Sequence, residues 1–311
     1  MPERIAGQQN RKMSGSEKRG IVTAFMCYLV WGLLPIFWKM IEEVSPYEII
    51  AHRIIWCFVV VMLICLITRQ DVASLYRDKR AWRFLAPAAA IITANWSVYI
   101  YAVSNYHVIE TAIGYYINPL ITILLGLIVF RERLSVMQWI AVGLCTAGVV
   151  SFTVNYGHFP WISIFLATTF GIYGAIKKKA GYPAIPAIAF ENTLMVGPAA
   201  VFAVWLAYHT GTHAFASDLG SPHGIYLTVM LIIAGLLTAL PLSLFSSAAN
   251  LIPLSFLGFI QFFSPTLSLL TGVFLYGEPF TTAHKICLGF IWAGLLLVSI
   301  DTVRSERRQQ S

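Results

Sequence analysis

Ten apolar runs, each about long enough to cross a lipid bilayer as a helix, constrain the fold of this 311-residue chain more than any other feature. A bilayer core of about 30 Å needs about 20 helical residues, because each residue rises about 1.5 Å. The connections are short, so the sequence predicts an all-α integral membrane protein with ten transmembrane helices and no soluble domain. The predicted spans are residues 21–40, 49–68, 84–104, 111–130, 137–154, 161–176, 187–208, 224–244, 254–276 and 285–303.

The second half of the chain echoes the first at a separation of 146 positions. Residues 119–148 and 265–294 align without a gap, and eight of these positions are identical. Matches between Leu or Ile residues carry little weight in apolar helices, whereas matched Pro, Gly and Glu residues carry more. The informative pairs are Pro119 with Pro265, Gly126 with Gly272, and Glu132 with Glu278.

Each copy contains five predicted spans, and this odd number determines how the copies are related. The second copy must enter the membrane from the opposite side, so we predict two inverted five-helix repeats, a construction common in transporters. Such repeats usually place a substrate site at their interface near the membrane midplane. The predicted segments are an N-terminal tail at 1–19, a first repeat at 20–154, a second repeat at 155–303 and a C-terminal tail at 304–311.

Positive charges are concentrated in alternate connections. Under the ten-span prediction, 18 of the 21 Lys and Arg residues lie on one side of the membrane, the exceptions being Lys39, Arg53 and Lys285. Lys and Arg accumulate on the cytoplasmic side, so both tails are predicted to be cytoplasmic. The net charge of +7 is therefore a topology signal and gives no reason to expect a nucleic-acid partner.

Several kinds of chemistry have no sequence support. The five cysteines lie within predicted spans without a CxxC pair, which favours a packing role over a disulfide or a metal site. The chain has no phosphate-binding Gly-rich loop, no HExxH motif and no GxSxG motif in a strand–turn–helix context. The first apolar run is of full length and follows a basic tail, unlike a cleaved signal. We therefore expect no cofactor, no metal and no enzymatic activity.

The second predicted span begins with three polar residues, Glu48, His52 and Arg53. A charged residue inside a span costs about 2.5–3.5 kcal/mol on insertion scales, so its presence needs a reason. Arg53 can contact an anion or another substrate in a cavity. Alternatively it braces neighbouring helices, or its long side chain reaches the nearby outer surface.

Glu191 in the seventh span is the first candidate for proton coupling, followed by Glu48 and His52. Intramembrane carboxylates serve as proton relays in several transporters. An ion pair between Glu191 and Arg53 is disfavoured, because the two residues lie toward opposite ends of their spans. We expect Glu191 to meet Lys177 or Lys178 instead, which leaves both a coupling role and a static salt bridge open.

Polar and aromatic residues from both repeats are predicted to face one shared cavity. Their alternative role is hydrogen bonding between helices, worth about 0.6 kcal/mol on average in one test system. Pro119 and Pro265 are predicted helix breaks beside some of these residues, because proline lacks a backbone donor. The predicted cavity residues are Trp31, His52, Arg53, Asn95, Trp96, Tyr99, Tyr115, Asn118 and Gln261.

Glu132 and Glu278 each stand between two spans, on opposite membrane sides. A carboxylate there stabilises the positive N-terminal end of the following helix by about 0.3–1 kcal/mol. We interpret both glutamates as structural.

Five segments together resemble the RarD permeases of the EamA branch of the drug/metabolite transporter superfamily. They are YLVWGLLPIFWK at 28–39, HRIIW at 52–56, NWSVYIYAV at 95–103, GYYINPL at 114–120 and LGFIQFFSPT at 257–266. The resemblance covers nearly the whole chain. It implies ten helices in two inverted repeats, a multi-pass location in the bacterial inner membrane, and secondary transport of small metabolites or drugs.

Two classes of function stay open at this point. The first is a secondary transporter, an exporter working by alternating access, whose partners are a small-molecule substrate, the lipid bilayer and a coupling proton. The second is a membrane sensor or scaffold that transports nothing. The substrate, the coupling ion and the oligomeric state are not determined by the sequence.

Overall fold

A computed structural model describes residues 14–154, 159–211 and 213–307, which are helical and contain no strand. The helices are α1 (Gly15–Lys39), α2 (Pro46–Ile67), α3 (Ala73–Arg77), α4 (Lys79–Ser104), α5 (Val108–Val129), α6 (Val136–Val154), α7 (Trp161–Ala180), α8 (Ala184–Thr210), α9 (Pro222–Leu251), α10 (Leu254–Gln261), α11 (Phe263–Tyr276) and α12 (Thr282–Arg307).

Nine spans in the described part of the chain are long and apolar enough to cross a membrane, with α10 and α11 together forming one of them. The multi-pass, all-α prediction is therefore confirmed. Helix α7 occupies the predicted sixth span, but its apolar run at 161–176 is short and is followed by three lysines. The count of ten spans stays a prediction.

Local sequence signals explain where several helices begin and end. Helix α1 begins with a capping box: the Ser14 hydroxyl accepts the Glu17 N–H, and the Glu17 carboxylate accepts the Ser14 N–H. Helix α9 has Ser221 at its N-cap and a proline in its first turn. Helices α7 and α11 end at Gly181 and Gly277, which adopt the left-handed conformation that glycine tolerates.

The two prolines predicted to break helices differ in their effect. The ninth span is interrupted at Phe262, between α10 and α11, and Pro265 cannot donate a hydrogen bond to the Gln261 carbonyl. Helix α5, in contrast, continues through Pro119, so the predicted break there is wrong. Close packing holds α5 in place: a Cβ atom added to Gly258 of α10 would lie 2.8 Å from the Pro119 carbonyl oxygen.

Helices from the two halves interleave and form a common core. Helices α1 and α2 pack on α9, α4 packs on α7 and α8, α5 packs on α7 and α10, and α6 packs on α12. Gly148 and Gly294, an identical pair in the sequence echo, both lie where α6 meets α12. Their added Cβ atoms would lie 2.9 Å from the Cys287 carbonyl oxygen and 3.0 Å from the Ala141 carbonyl oxygen, so both glycines allow close helix approach.

Candidate substrate cavity

A cavity of about 1010 Å³ lies between the two halves, with walls from α1, α2, α4, α5, α9, α11 and α12 among others. Its volume is at the upper end of the range for small-molecule sites, about 300–1,000 Å³. The structure places eight of the nine predicted cavity residues in this wall: Trp31, Arg53, Asn95, Trp96, Tyr99, Tyr115, Asn118 and Gln261.

Arg53 is held in the wall by one hydrogen bond and two aromatic rings. Its Nε donates to the Thr238 hydroxyl oxygen at 3.0 Å. The guanidinium carbon lies 4.9 Å from the Trp38 ring centroid and 5.2 Å from the Trp96 ring centroid. None of the ion pairs in the described residues includes Arg53, and Glu191 has another partner. The positive charge therefore has no carboxylate to neutralise it there.

The cavity amides have different surroundings. The Asn95 amide donates to the Leu166 carbonyl at 2.9 Å and to the Thr169 hydroxyl at 2.8 Å, which ties α4 to α7. The carbonyl oxygens of Asn118 and Gln261 both lie near the Thr122 hydroxyl, at 3.3 and 3.1 Å. Asn95 thus has the helix-bridging role, while Asn118 and Gln261 form one polar cluster contributed by both halves.

His52, the ninth predicted cavity residue, is not in the cavity wall. Its ring stacks on Phe215 with centroids 4.6 Å apart. The Glu48 carboxylate accepts the N–H groups of Ala214 and Phe215 at 2.7 and 2.9 Å. Both side chains therefore fasten the connection between α8 and α9 to α2, a long-range contact that the sequence does not reveal.

Glu191 is buried and lies outside the cavity wall. Its carboxylate accepts hydrogen bonds from Lys177 Nζ at 2.6 Å and from the Tyr173 hydroxyl at 3.1 Å. The pairing with Lys177 expected from the sequence is confirmed. Because Lys177 is also buried, this contact is an internal ion pair between α7 and α8.

Additional cavity residues went unrecognised in the sequence. They include Tyr28, Trp38, Thr238 and Glu278. A signal for Trp38 does exist. It follows Trp31 by seven residues, about two helical turns, so both rings lie on the same face of α1.

One end of the cavity is open and the other is closed. Val108, Ile109 and Tyr276 belong to the wall and are exposed, so the cavity reaches the surface beside them. At the opposite end, Phe245 and Leu254 are fully buried.

Glu132 and Lys178 hold the closed end together. The Glu132 carboxylate accepts the N–H groups of Leu254 and Ser255, both at 2.8 Å. Lys178 donates to the carbonyls of Ala249 and Ile252 at the end of α9. From the sequence we expected the Glu132 carboxylate to stabilise the N-terminal end of the following helix, α6. In the structure it binds the N-terminal end of α10, in the other half of the chain.

Comparison with known proteins agrees with this architecture. Residues 18–154 match the EamA-like transporter family. A Protein RarD from Streptomyces exfoliatus is 36% identical over 302 residues, covering 96% of this chain and 94% of the relative. A Bacillus subtilis protein named Uncharacterized transporter YojE is 35% identical over 300 residues, covering 94% and 98%. A solved crystal structure with 16% identity covers 91% of this chain and 98% of its own with a TM-score of 0.71, which supports the fold.

The fold and these similarities define a multi-pass membrane transporter. The chain belongs to the RarD proteins of the EamA-like transporter family.

The internal ion pair leads to a prediction about stability. Lys177→Met leaves the buried Glu191 carboxylate without its cation, so we expect a loss of about 3–5 kcal/mol in the free energy of unfolding. The double variant Lys177→Met, Glu191→Leu should lose markedly less, because no unpaired charge remains. Thermal or denaturant unfolding of the purified protein in detergent measures both, with the exposed neighbour Lys179→Met as the control. Equal losses for the single and double variants would contradict the prediction.

Proposed function

We propose that the chain is a secondary transporter of small metabolites or drugs that works by alternating access. The observation that carries this proposal is the cavity between the two halves, open at one end and closed at the other by contacts between the halves. A site that opens to one side at a time is what alternating access requires, and inverted repeats commonly provide it.

The proposal includes ten spans in two inverted repeats, with both tails in the cytoplasm. Support comes from the matched glycines at the α6–α12 contact and from the asymmetry of positive charge. In this orientation Arg131, Arg133 and Lys178 lie on the closed, cytoplasmic side, so the cavity faces outward. The bacterial inner membrane as location and export as direction follow from the resemblance to drug/metabolite transporters.

Counterflow in proteoliposomes tests transport most directly. The reconstituted full chain is loaded with a library of small metabolites and drugs, and exchange of each labelled compound is measured without an imposed gradient. We expect accelerated exchange of at least one compound over empty liposomes. If no compound in a broad library exchanges, a sensor or scaffold becomes the better account.

Proton coupling through Glu191 is a second part of the proposal. Glu48 and His52 come after it as candidates, because their side chains attach the connection between α8 and α9 to α2. A proton that moves between Glu191 and water must loosen its bond to Lys177 in one state of the cycle. Glu191→Gln should then abolish transport driven by a pH gradient in everted vesicles while counterflow persists. Normal gradient-driven transport by this variant would remove Glu191 from coupling and leave it as a static ion pair.

A further inference from the structure

The charge of Arg53 restricts which substrates the cavity can bind. Guanidinium carries five N–H donors and stays protonated in proteins. In the described residues only its Nε has an acceptor, the Thr238 hydroxyl. That hydroxyl in turn donates to the Ala234 carbonyl at 2.8 Å, so its own hydrogen bonds hold it in place. The terminal N–H groups of Arg53 therefore remain for a ligand.

The rings around Arg53 orient it and supply an apolar surface. Trp38 and Trp96 hold the guanidinium by cation–π contacts, an arrangement suited to arginine. Trp31, packed against Phe170 with centroids 5.5 Å apart, extends the aromatic wall. Among the described residues that line the cavity, the one carboxylate is Glu278, beside the exposed mouth.

We propose that Arg53 binds the acidic group of an organic anion whose apolar or aromatic part lies against the tryptophans. This inference rests on the proposed function and names its substrate class. A carboxylate matches the paired N–H groups of guanidinium and forms hydrogen bonds about twice as strong as neutral ones. It also neutralises a charge that is costly to leave unpaired inside a membrane.

Binding to the purified full chain tests the substrate class. Benzoate and indole-3-acetate are compared with benzamide and indole-3-acetamide, their uncharged counterparts, by ligand-induced thermal stabilisation in detergent. We expect each carboxylate to act at a concentration at least about tenfold lower than its amide. Arg53→Gln should remove this difference and Arg53→Lys should keep part of it, because lysine retains the charge without the paired donors. Arg133→Gln, an exposed arginine, should bind as the unaltered protein does.

Three results would overturn the anion site. They are amides that bind as well as carboxylates, an unchanged preference in Arg53→Gln, and no binding by either carboxylate at millimolar concentration. The assay needs no transport, so anion binding without counterflow would keep this inference and reject the transport proposal.

A second inference comes from a separate observation, the matched pair Glu132 and Glu278. Both glutamates follow the same local structure. The Glu132 N–H donates to the Gly126 carbonyl at 3.2 Å, and the Glu278 N–H donates to the Gly272 carbonyl at 3.1 Å. The residue before each has a positive φ, 53° at Arg131 and 68° at Gly277. The two turns are thus alike and present their carboxylates in the same way.

The amide groups that these carboxylates can reach are related by the same 146-residue shift. Leu254 and Ser255, the first residues of α10, correspond to Val108 and Ile109, the first residues of α5. Glu132 is bonded to the first pair of N–H groups. The N–H groups of the second pair have no acceptor in the described part of the chain. Glu278, Val108 and Ile109 all line the open end of the cavity.

Gly126 lies next to the Glu132 carboxylate and Gly272 next to the Glu278 carboxylate, and the surroundings of these two glycines also differ. A Cβ atom added to Gly126 would lie 2.6 Å from a Glu132 carboxylate oxygen and 2.7 Å from the Ser255 nitrogen. For one added to Gly272 the three nearest atoms all belong to Glu278, and any atom of α5 lies no closer than 3.6 Å. The closed end is therefore a completed contact, and the open end is the same contact with its two parts separated.

We infer that Glu132 and Glu278 are alternating latches of the two cavity ends. When the outer end closes, Glu278 accepts the N–H groups of Val108 and Ile109, and Glu132 releases α10 as the inner end opens. Each latch consists of a charge-assisted contact with a helix N-terminus, which the helix dipole strengthens. This inference rests on the proposed alternating access and adds the contacts that stabilise each state.

Single introduced cysteines report which end is open, because the five native cysteines are buried and free. Ala112→Cys lies in the cavity wall and Ser246→Cys lies in the closed end. A membrane-impermeant maleimide is applied from outside for the first and from inside, in everted vesicles, for the second. Glu132→Gln should slow labelling at position 112 and speed it at 246, whereas Glu278→Gln should do the reverse. We expect a shift of about tenfold in the ratio of the two rates for each variant.

Glu43→Gln is the matched control, since it removes an exposed carboxylate from the outer surface. Should Glu132→Gln fail to fold, Glu278→Gln alone decides the outcome, because its carboxylate is exposed in this state. Shifts of both variants in the same direction, or no shift for Glu278→Gln, would overturn the latch. Opposite shifts in a chain that exchanges no compound would keep the latch and reject the transport proposal.

Discussion

The contact between the Glu132 carboxylate and the start of α10 holds the closed end of the cavity together. It joins a turn in the first half to a helix N-terminus in the second, beside the close contact of α5 with α10 at Gly258. With this end closed, the cavity between the halves reaches the surface beside Val108, Ile109 and Tyr276.

Arg53 contributes a positive charge to the cavity wall, and its environment explains why a charged residue is tolerated there. The two tryptophan faces and the Thr238 hydroxyl compensate part of the cost of burying the charge. The buried carboxylate of Glu191 is already paired with Lys177. These two buried charges thus differ: Glu191 is paired with Lys177, whereas Arg53 faces a space for a ligand.

Much of this architecture could be predicted from the sequence. Apolar run length predicted the helices, and residue type inside the spans identified eight residues of the cavity wall. The errors concern contacts between residues far apart in the chain. His52 stacks on Phe215 and Glu48 binds Ala214 because a connection folds back over α2, and no local pattern encodes that return. Helix α5 continues through Pro119 and packs against α7 and α10, from the other half of the chain.

The central claim is that the two ends of the cavity open alternately. Spin labels at Tyr106 and Phe280 report the width of the end that is open in the structure, and labels at Arg133 and Asn250 report the closed end, all four being exposed positions. The account predicts two distance populations for each pair in the reconstituted protein, with opposite responses: any condition that shortens the first distance lengthens the second. A single fixed distance for each pair, or both distances changing in the same direction, would contradict it.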